Sequence, residues 1–378
     1  MKHISTSLIA SALLLPTLAM GLAGCSDTAP PPEPLTEEAL AAVSDNPGAS
    51  TEQLARQIDE VFNTPDSGET RALLVMHGGV IAAERYAPGY DAETKFISWS
   101  MAKTVTAVMI GMLVADGRLR LDDAPPVKRW QQPGDPRGEI TLRQLLQMRS
   151  GLRHTEAGDP PYESSEVRML FLDGRDDMAN WASAEPLEAE PGAKFEYSSN
   201  TTVILADIAA NVLTDSKDPE TRRQAVDDYL RTRLFAPVGM DSMVPEYDAS
   251  GTLIGGSLIH GTARDWAKFG EFLRNKGSVR GAQLIPRKWI YFMKTPSPRS
   301  EFYGAQTWLN RDSGVDRDDQ LQDRGPDTMF AAIGHMGQYV LVSPDQKLTV
   351  VRLGHSDTQQ RKVMLQQLLD VVELYPAR

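Results

Sequence analysis

The chain has 378 residues, 39 of them Lys or Arg and 51 Asp or Glu, for a formal net charge of −12 at neutral pH. Basic clusters are absent, which argues against a nucleic-acid partner. The single cysteine excludes an intramolecular disulfide, and the six histidines are scattered, so the sequence implies neither a metal centre nor a cofactor.

Met1-Lys2-His3 precedes an apolar stretch from about Ile4 to Met20, then Leu22-Ala23-Gly24-Cys25. A basic start, a short apolar core and small residues predict an export signal over residues 1–24. Leu-Ala-Gly-Cys resembles the bacterial lipobox, which makes Cys25 the expected lipidation site. With Ser26 in the next position, that resemblance implies an outer-membrane anchor facing the periplasm. Residues 25–48, rich in Pro, Ala and Glu, read as a semi-extended tether. The remaining 49–376 is long enough for one large core.

Thr51–Phe62 predicts an amphipathic helix with Leu54 and Ile58 on its apolar face. Ala72–Met76 and Val80–Tyr86, joined by His77-Gly78-Gly79, predict a β-hairpin. From residue 98 to about 328 the pattern is mainly helical segments between Pro/Gly loops. The period then changes to strands at Phe330–Ile333, Gln338–Val342 and Leu348–Leu353, followed by a helix over about Gln359–Leu374. Strands and a helix at both ends (about 49–97 and 329–376) predict an α+β domain. Its antiparallel sheet is built from both termini, and the helical middle is an insertion. Gly314–Asp327 is acidic and predicts a loop.

The chemistry concentrates at Trp99-Ser100-Met101-Ala102-Lys103-Thr104. Ser100 and Lys103 are three residues apart at the start of an apolar run, so a helix puts hydroxyl and amine on one face. Val105, Val108, Met109, Met112 and Leu113 continue at helical spacing, and Gly117 marks the stop. A serine at a helix N-terminus meets unpaired N–H groups and a positive dipole end, which suits a nucleophile whose attack generates an oxyanion. An amine one turn inside can take its proton if burial lowers its pKa. Tyr197, in Phe195-Glu196-Tyr197-Ser198-Ser199-Asn200, is a candidate proton relay. Ala332-Ile333-Gly334-His335-Met336-Gly337-Gln338 enters a strand with glycines that permit close approach, and the Gln338 N–H is a candidate oxyanion donor. Tyr162 and Trp308 are candidate pocket walls. No Gly-x-Ser-x-Gly elbow occurs, which speaks against an α/β-hydrolase.

Taken in this order, these elements resemble the class C β-lactamase-like serine hydrolases, a family that includes β-lactamases, D-alanyl-D-alanine peptidases, small-ester esterases and 6-aminohexanoate-dimer hydrolases. Ile140–Leu146 followed by Ser150-Gly151-Leu152, and Gly255-Gly256-Ser257 leading to Thr262–Asp265, extend the resemblance to roughly Leu73–Leu353. It implies a β-lactamase/transpeptidase-like fold, an acyl-enzyme on Ser100, Lys103 as base and Tyr197 as acid/base. The Ser100 and Gln338 N–H groups would be the oxyanion donors, with Ser199, Asn200, His335 and Gly337 toward the substrate. The family's usual Tyr-x-Asn is here Tyr197-Ser198-Ser199, and His335 and Gly337 stand where Lys-Thr-Gly is usual. Both departures resemble the esterase and aminohexanoate-hydrolase branch. The resemblance therefore implies hydrolysis of small esters or amides. D-Ala-D-Ala peptides or β-lactams are the alternative substrates, and a non-catalytic envelope binding or sensing module is the alternative class.

Overall fold

The computed structural model describes residues 34–311 and 324–377. The expected export signal, Cys25 and most of Gly314–Asp327 lie outside the described residues. Near the sheet are helix α1 (Thr51–Asn63), strands β1 (Glu69–His77) and β2 (Val80–Tyr86), and helix α2 (Ala102–Ala115). The middle supplies α3 (Ser165–Phe171), α4 (Ser199–Leu213) and α5 (Ala263–Arg274), among shorter helices. The chain returns through β3 (Trp308–Leu309), β4 (Phe330–Gly334), β5 (Gln338–Ser343), β6 (Leu348–His355) and α6 (Thr358–Glu373).

These strands form one antiparallel sheet in the order β2-β1-β6-β5-β4-β3. β6 pairs with β1 along its length, from Glu69↔His355 to His77↔Leu348, and so joins the two ends of the chain. Both faces are covered, because successive strand residues point to opposite sides. Leu73, Val75, Leu341 and Val350 pack with Leu54 and Ile58 of α1 and with Met364, Leu365 and Leu368 of α6. Leu74, Val340, Val342 and Val351 belong instead to the larger core shared with α2, α4 and α5. β3 lies within the mainly helical middle yet belongs to the sheet, so the insertion is not purely helical.

The stretch expected as a tether is shorter than the composition predicts. Thr36 caps a short helix, Glu37–Ala41, and Ala39 is fully buried. The next residues lie along β2: Ser44 N–H donates to Ala82 O and Glu84 N–H to Ala42 O, each at 2.9 Å. The edge of β2 offers unpaired backbone groups, and this segment satisfies them.

α2 is buried from Ala102 to Leu113, all around its circumference, as befits a helix at the centre of a domain. It ends where the sequence marks a stop: Gly117 has φ +73°, a conformation that a side chain disfavours. A second glycine sets the spacing between helix and sheet. A Cβ on Gly270 of α5 would lie 2.4 Å from Thr349 Cγ2 and 2.9 Å from Val340 Cγ1. Gly270→Ala is therefore expected to destabilise the domain by about 1–3 kcal/mol despite alanine's better helix propensity, read as a lower denaturant midpoint at unchanged m-value.

Candidate active site

Ser100 sits in a 3₁₀ turn, Trp99–Met101, that runs directly into α2. Trp99 has φ +45°, a strained conformation for a bulky residue, immediately before the serine. The turn is held from below: Ser98 N–H donates to Ile259 O at 2.9 Å, and Ser98 Oγ accepts from Ile259 N–H at 3.1 Å. The strain is thus supported by a fixed neighbour rather than by the turn itself.

Lys103, one turn on, is 1% exposed. Its Nζ donates to Ser100 Oγ at 2.7 Å, Ser199 Oγ at 2.7 Å and Gly256 O at 2.9 Å. Three acceptors match the three hydrogens of an ammonium. Charge-assisted hydrogen bonds contribute about 1.5–3 kcal/mol each, comparable in sum with the several kcal/mol that desolvating an ammonium costs. Burial pulls the Lys103 pKa below the ordinary lysine value, and the carboxylates of Glu156 and Glu166 oppose that pull. The Tyr197 ring centroid lies 4.8 Å from the same Nζ. That ring packs against Tyr303 and Trp308, with centroids 5.6 and 5.2 Å away. Ser100, Lys103 and Tyr197 are therefore brought together, and Trp308 walls the tyrosine. Tyr162 is 61% exposed.

Two acids complete the cluster. Glu156 Oε1 accepts from Ser199 Oγ and its Oε2 from Ser199 N–H, both at 2.6 Å, and Oε1 lies 3.7 Å from Lys103 Nζ. Glu166, on α3, has its pKa raised to about 7, chiefly by burial and then by repulsion from Glu156, with Lys103 pulling it back. Sequence reasoning missed both acids. Glu156 lies in an irregular loop, and Glu166 looks like an ordinary first-turn acid of a helix capped by Ser164.

Of the residues expected toward the substrate, Ser199, Asn200 and Gly337 are engaged within the protein, and His335 stands at the rim. Ser198 caps α4, so Ser199 and Asn200 are its first two residues, about 100° apart around the axis. Ser199 turns to Lys103 and Glu156. Asn200 turns to Ser165, donating to its backbone O at 3.3 Å, and is fully buried. Gly337 has φ +80°, and a Cβ there would lie 2.7 Å from Arg352 Nη1. Its carbonyl accepts from that atom at 2.8 Å, so Gly337 anchors the hairpin. Arg352 is fully buried and has no carboxylate partner among the described residues; it is bonded also to Glu69 O, Ser356 Oγ and Thr70 Oγ1, and burial lowers its pKa to about 9. His335 stands at the exposed rim, edge-on to Trp99 at 5.4 Å. Partial burial, Arg361 and His355 hold its pKa below the ordinary histidine value.

The strand edge beside the serine is fixed by hydrogen-bond phase. Asn310 N–H donates to Met329 O at 3.1 Å, in register with Trp308↔Ala331. The backbone groups of residues 329, 331 and 333 therefore face β3, and those of 330, 332 and 334 face β5. Gln338 pairs with Gly334, so its N–H points into the β4–β5 ladder instead of toward Ser100. Its side chain is spent as well, donating to Gly354 O at 2.7 Å. Ile333 is the residue whose N–H faces outward. The position across from it, Gln306, turns away with φ +57° and gives its N–H to Leu146 O. The Ser98–Trp99 turn packs here: a Cβ on Gly334 would lie 2.2 Å from Ser98 O and 3.2 Å from Trp99 Cβ. Among the described residues no group of three or more His, Cys, Asp or Glu could hold a metal.

Comparison with known proteins bears on the family and the fold. The Beta-lactamase family model matches residues 69–373. A 6-aminohexanoate-dimer hydrolase of Paenarthrobacter ureafaciens is 25% identical over 292 residues, covering 73% of this chain; the match spans 66% of that relative's length, just under two thirds. A candidate 6-aminohexanoate-dimer hydrolase from Bacillus anthracis superposes with a TM-score of 0.66 at 21% identity, covering 84% of this chain and 83% of the other. A family VIII carboxylesterase does so with 0.59 at 17% identity, covering 84% and 96%. The structural likenesses establish the β-lactamase/transpeptidase-like fold.

The raised pKa of Glu166 has a consequence for stability. Between the ordinary glutamate value of 4.5 and about 7 the unfolded chain ionises this carboxyl while the folded chain keeps it protonated. Stability is thus complete below pH 4.5 and falls as pH rises through 7. Glu166→Gln is expected to unfold with the same midpoint as wild type at pH 4.5. At pH 8 it should be more stable by on the order of 2 kcal/mol, measured by denaturant titration at the two pH values.

Proposed function

Because the chain belongs to the Beta-lactamase family, we propose that it is a serine hydrolase that cleaves small esters or amides through an acyl-enzyme on Ser100. The observation that carries this reading is the 2.7 Å contact between Ser100 Oγ and a buried Lys103 Nζ. As an amine, Lys103 accepts the hydroxyl proton while Oγ attacks the substrate carbonyl. The N–H groups of Ser100 and Ile333 receive the oxyanion; loss of one such donor typically costs about 10²–10³ in rate. Tyr197, its ring beside Lys103, delivers a proton to the leaving group and later serves the attacking water.

Hydrolase relatives support the ester or amide class, the relative from Paenarthrobacter being named for an amide-linked dimer. The neutral tendency of His335 fits substrates without an obligatory carboxylate better than β-lactams or D-Ala-D-Ala peptides. The sequence before residue 34 supports placement in a bacterial envelope, lipid-anchored through Cys25.

The test is turnover of p-nitrophenyl butyrate together with fluorophosphonate labelling. Wild type is expected to turn over and to gain one adduct on Ser100, while Ser100→Ala loses at least ~10³-fold in kcat/KM and is not labelled. Equal, slow hydrolysis by both proteins with no adduct would overturn the assignment.

A further inference from the structure

The mechanism above leaves one proton without an origin or a destination. An ammonium at Lys103 spends its three hydrogens on Ser100 Oγ, Ser199 Oγ and Gly256 O, and has no lone pair for the Ser100 proton. Lys103 must first become an amine. It is 1% exposed, so the proton leaves along a hydrogen bond. A carbonyl oxygen such as Gly256 O is far too weak a base to keep it. Ser199 Oγ is different, because it accepts from Lys103 at 2.7 Å and donates onward to Glu156 Oε1 at 2.6 Å. The Ser199 N–H holds the other carboxylate oxygen at 2.6 Å, which fixes the carboxylate toward the hydroxyl.

We propose that Glu156 is a positioning residue that takes the Lys103 proton through the Ser199 hydroxyl and so prepares the amine that activates Ser100. The inference rests on the nucleophile assignment above and extends it. In the step, an Nζ–H bond of Lys103 breaks as a new O–H bond forms at Ser199 Oγ. The original Ser199 O–H bond breaks as an O–H bond forms at Glu156 Oε1. Ammonium and carboxylate become amine and carboxylic acid; the number of protons in the chain of groups is unchanged, and no electron is transferred. The amine then receives the Ser100 proton during attack.

The surroundings favour a shared proton here. The Lys103 side chain is 1% exposed and that of Glu156 24%, so passing the proton from one to the other removes a charge from the dry end of the chain of groups. Within electrostatic reach of Glu156 are Lys103 on α2, Glu166 on α3, Tyr303 on the segment before β3 and His335 on the β4–β5 hairpin. The side chain in the third position of Tyr197-Ser198-Ser199 would then be a hydroxyl because a hydroxyl can both accept and donate.

The sign of a pH shift distinguishes this relay from simple electrostatic support. In the relay, the acid limb of kcat/KM reports protonation of the carboxylate side of the network, because Lys103 need not lose its proton to solvent. Glu156→Gln removes the acceptor, so the limb should pass to Lys103 itself. It should rise by at least about one pH unit, with kcat at pH 6 falling about tenfold and KM changing less than about twofold. Ser199→Ala retains the carboxylate and breaks the chain, and should shift the limb in the same direction. If Glu156 only stabilises the ammonium, removing its charge makes Lys103 easier to deprotonate and moves the limb downward. A downward or unmoved limb overturns the relay.

The measurement is p-nitrophenyl butyrate turnover and fluorophosphonate labelling of the full chain from pH 4.5 to 9, with circular dichroism confirming folded variants. Glu156→Gln, which keeps the shape of the side chain and exchanges one carboxylate oxygen for an amide nitrogen, carries the test if Ser199→Ala does not fold. Wild type unlabelled at every pH overturns the nucleophile assignment and the relay with it. Wild type labelled with variant limbs unmoved overturns the relay alone.

Discussion

The buried amine of Lys103 is the constraint around which the site is organised. Its partners come from three places: Ser100 on the same turn, Ser199 96 residues away and Gly256 153 residues away. An ammonium removed from water without such acceptors would either disrupt the core or lose its proton. The N-terminus of α4, the Gly255-Gly256 loop and the start of α2 must therefore converge for the domain to fold as it does. Thr106 Oγ1 donates to Gly255 O at 2.8 Å and fastens that loop to α2 one turn beyond the lysine. In the proposed reading, stability and chemistry draw on the same contacts.

A second buried cation supports the opposite wall. Arg352, at the centre of β6, binds Gly337 O, Glu69 O, Ser356 Oγ and Thr70 Oγ1, and through them ties the β4–β5 hairpin to β1 and to the entry of α6. Both ends of the chain thus bear on the hairpin that carries His335 and lies beside the outward-facing Ile333. The sheet acts as a rigid edge against which the Ser100 turn is pressed, and Gly334 lets the two backbones meet. A mobile loop in that position would not hold the Ile333 N–H, the proposed oxyanion donor, in a fixed orientation.

Much of the fold could be read from periodicity. The strands at Ala72–Met76, Val80–Tyr86, Phe330–Ile333, Gln338–Val342 and Leu348–Leu353 fall inside observed strands, because residue alternation and turn chemistry are local properties. The Ser100–Lys103 contact was legible for the same reason, since helical rise alone brings residues i and i+3 together. The tether was misjudged at its C-terminal end. Its Pro- and Ala-rich composition says nothing about the free strand edge of β2, which pairs with Ala42 and Ser44.

What the sequence by itself determined was the set of local elements, the apolar faces that cover the sheet, and the spacing that puts a hydroxyl over an amine. Tertiary structure alone decided which groups complete that pair. Ser199 rather than Asn200 reaches Lys103, because one residue along α4 is a rotation of about 100° about an axis that packing fixes. Ile333 rather than Gln338 offers its N–H, because strand pairing sets the hydrogen-bond phase and a shift of one residue inverts it. Glu156 and Glu166 carry no sequence pattern at all. They join the site through the closure of long loops, and contacts of that kind follow from the packing of the whole domain rather than from any neighbourhood along the chain.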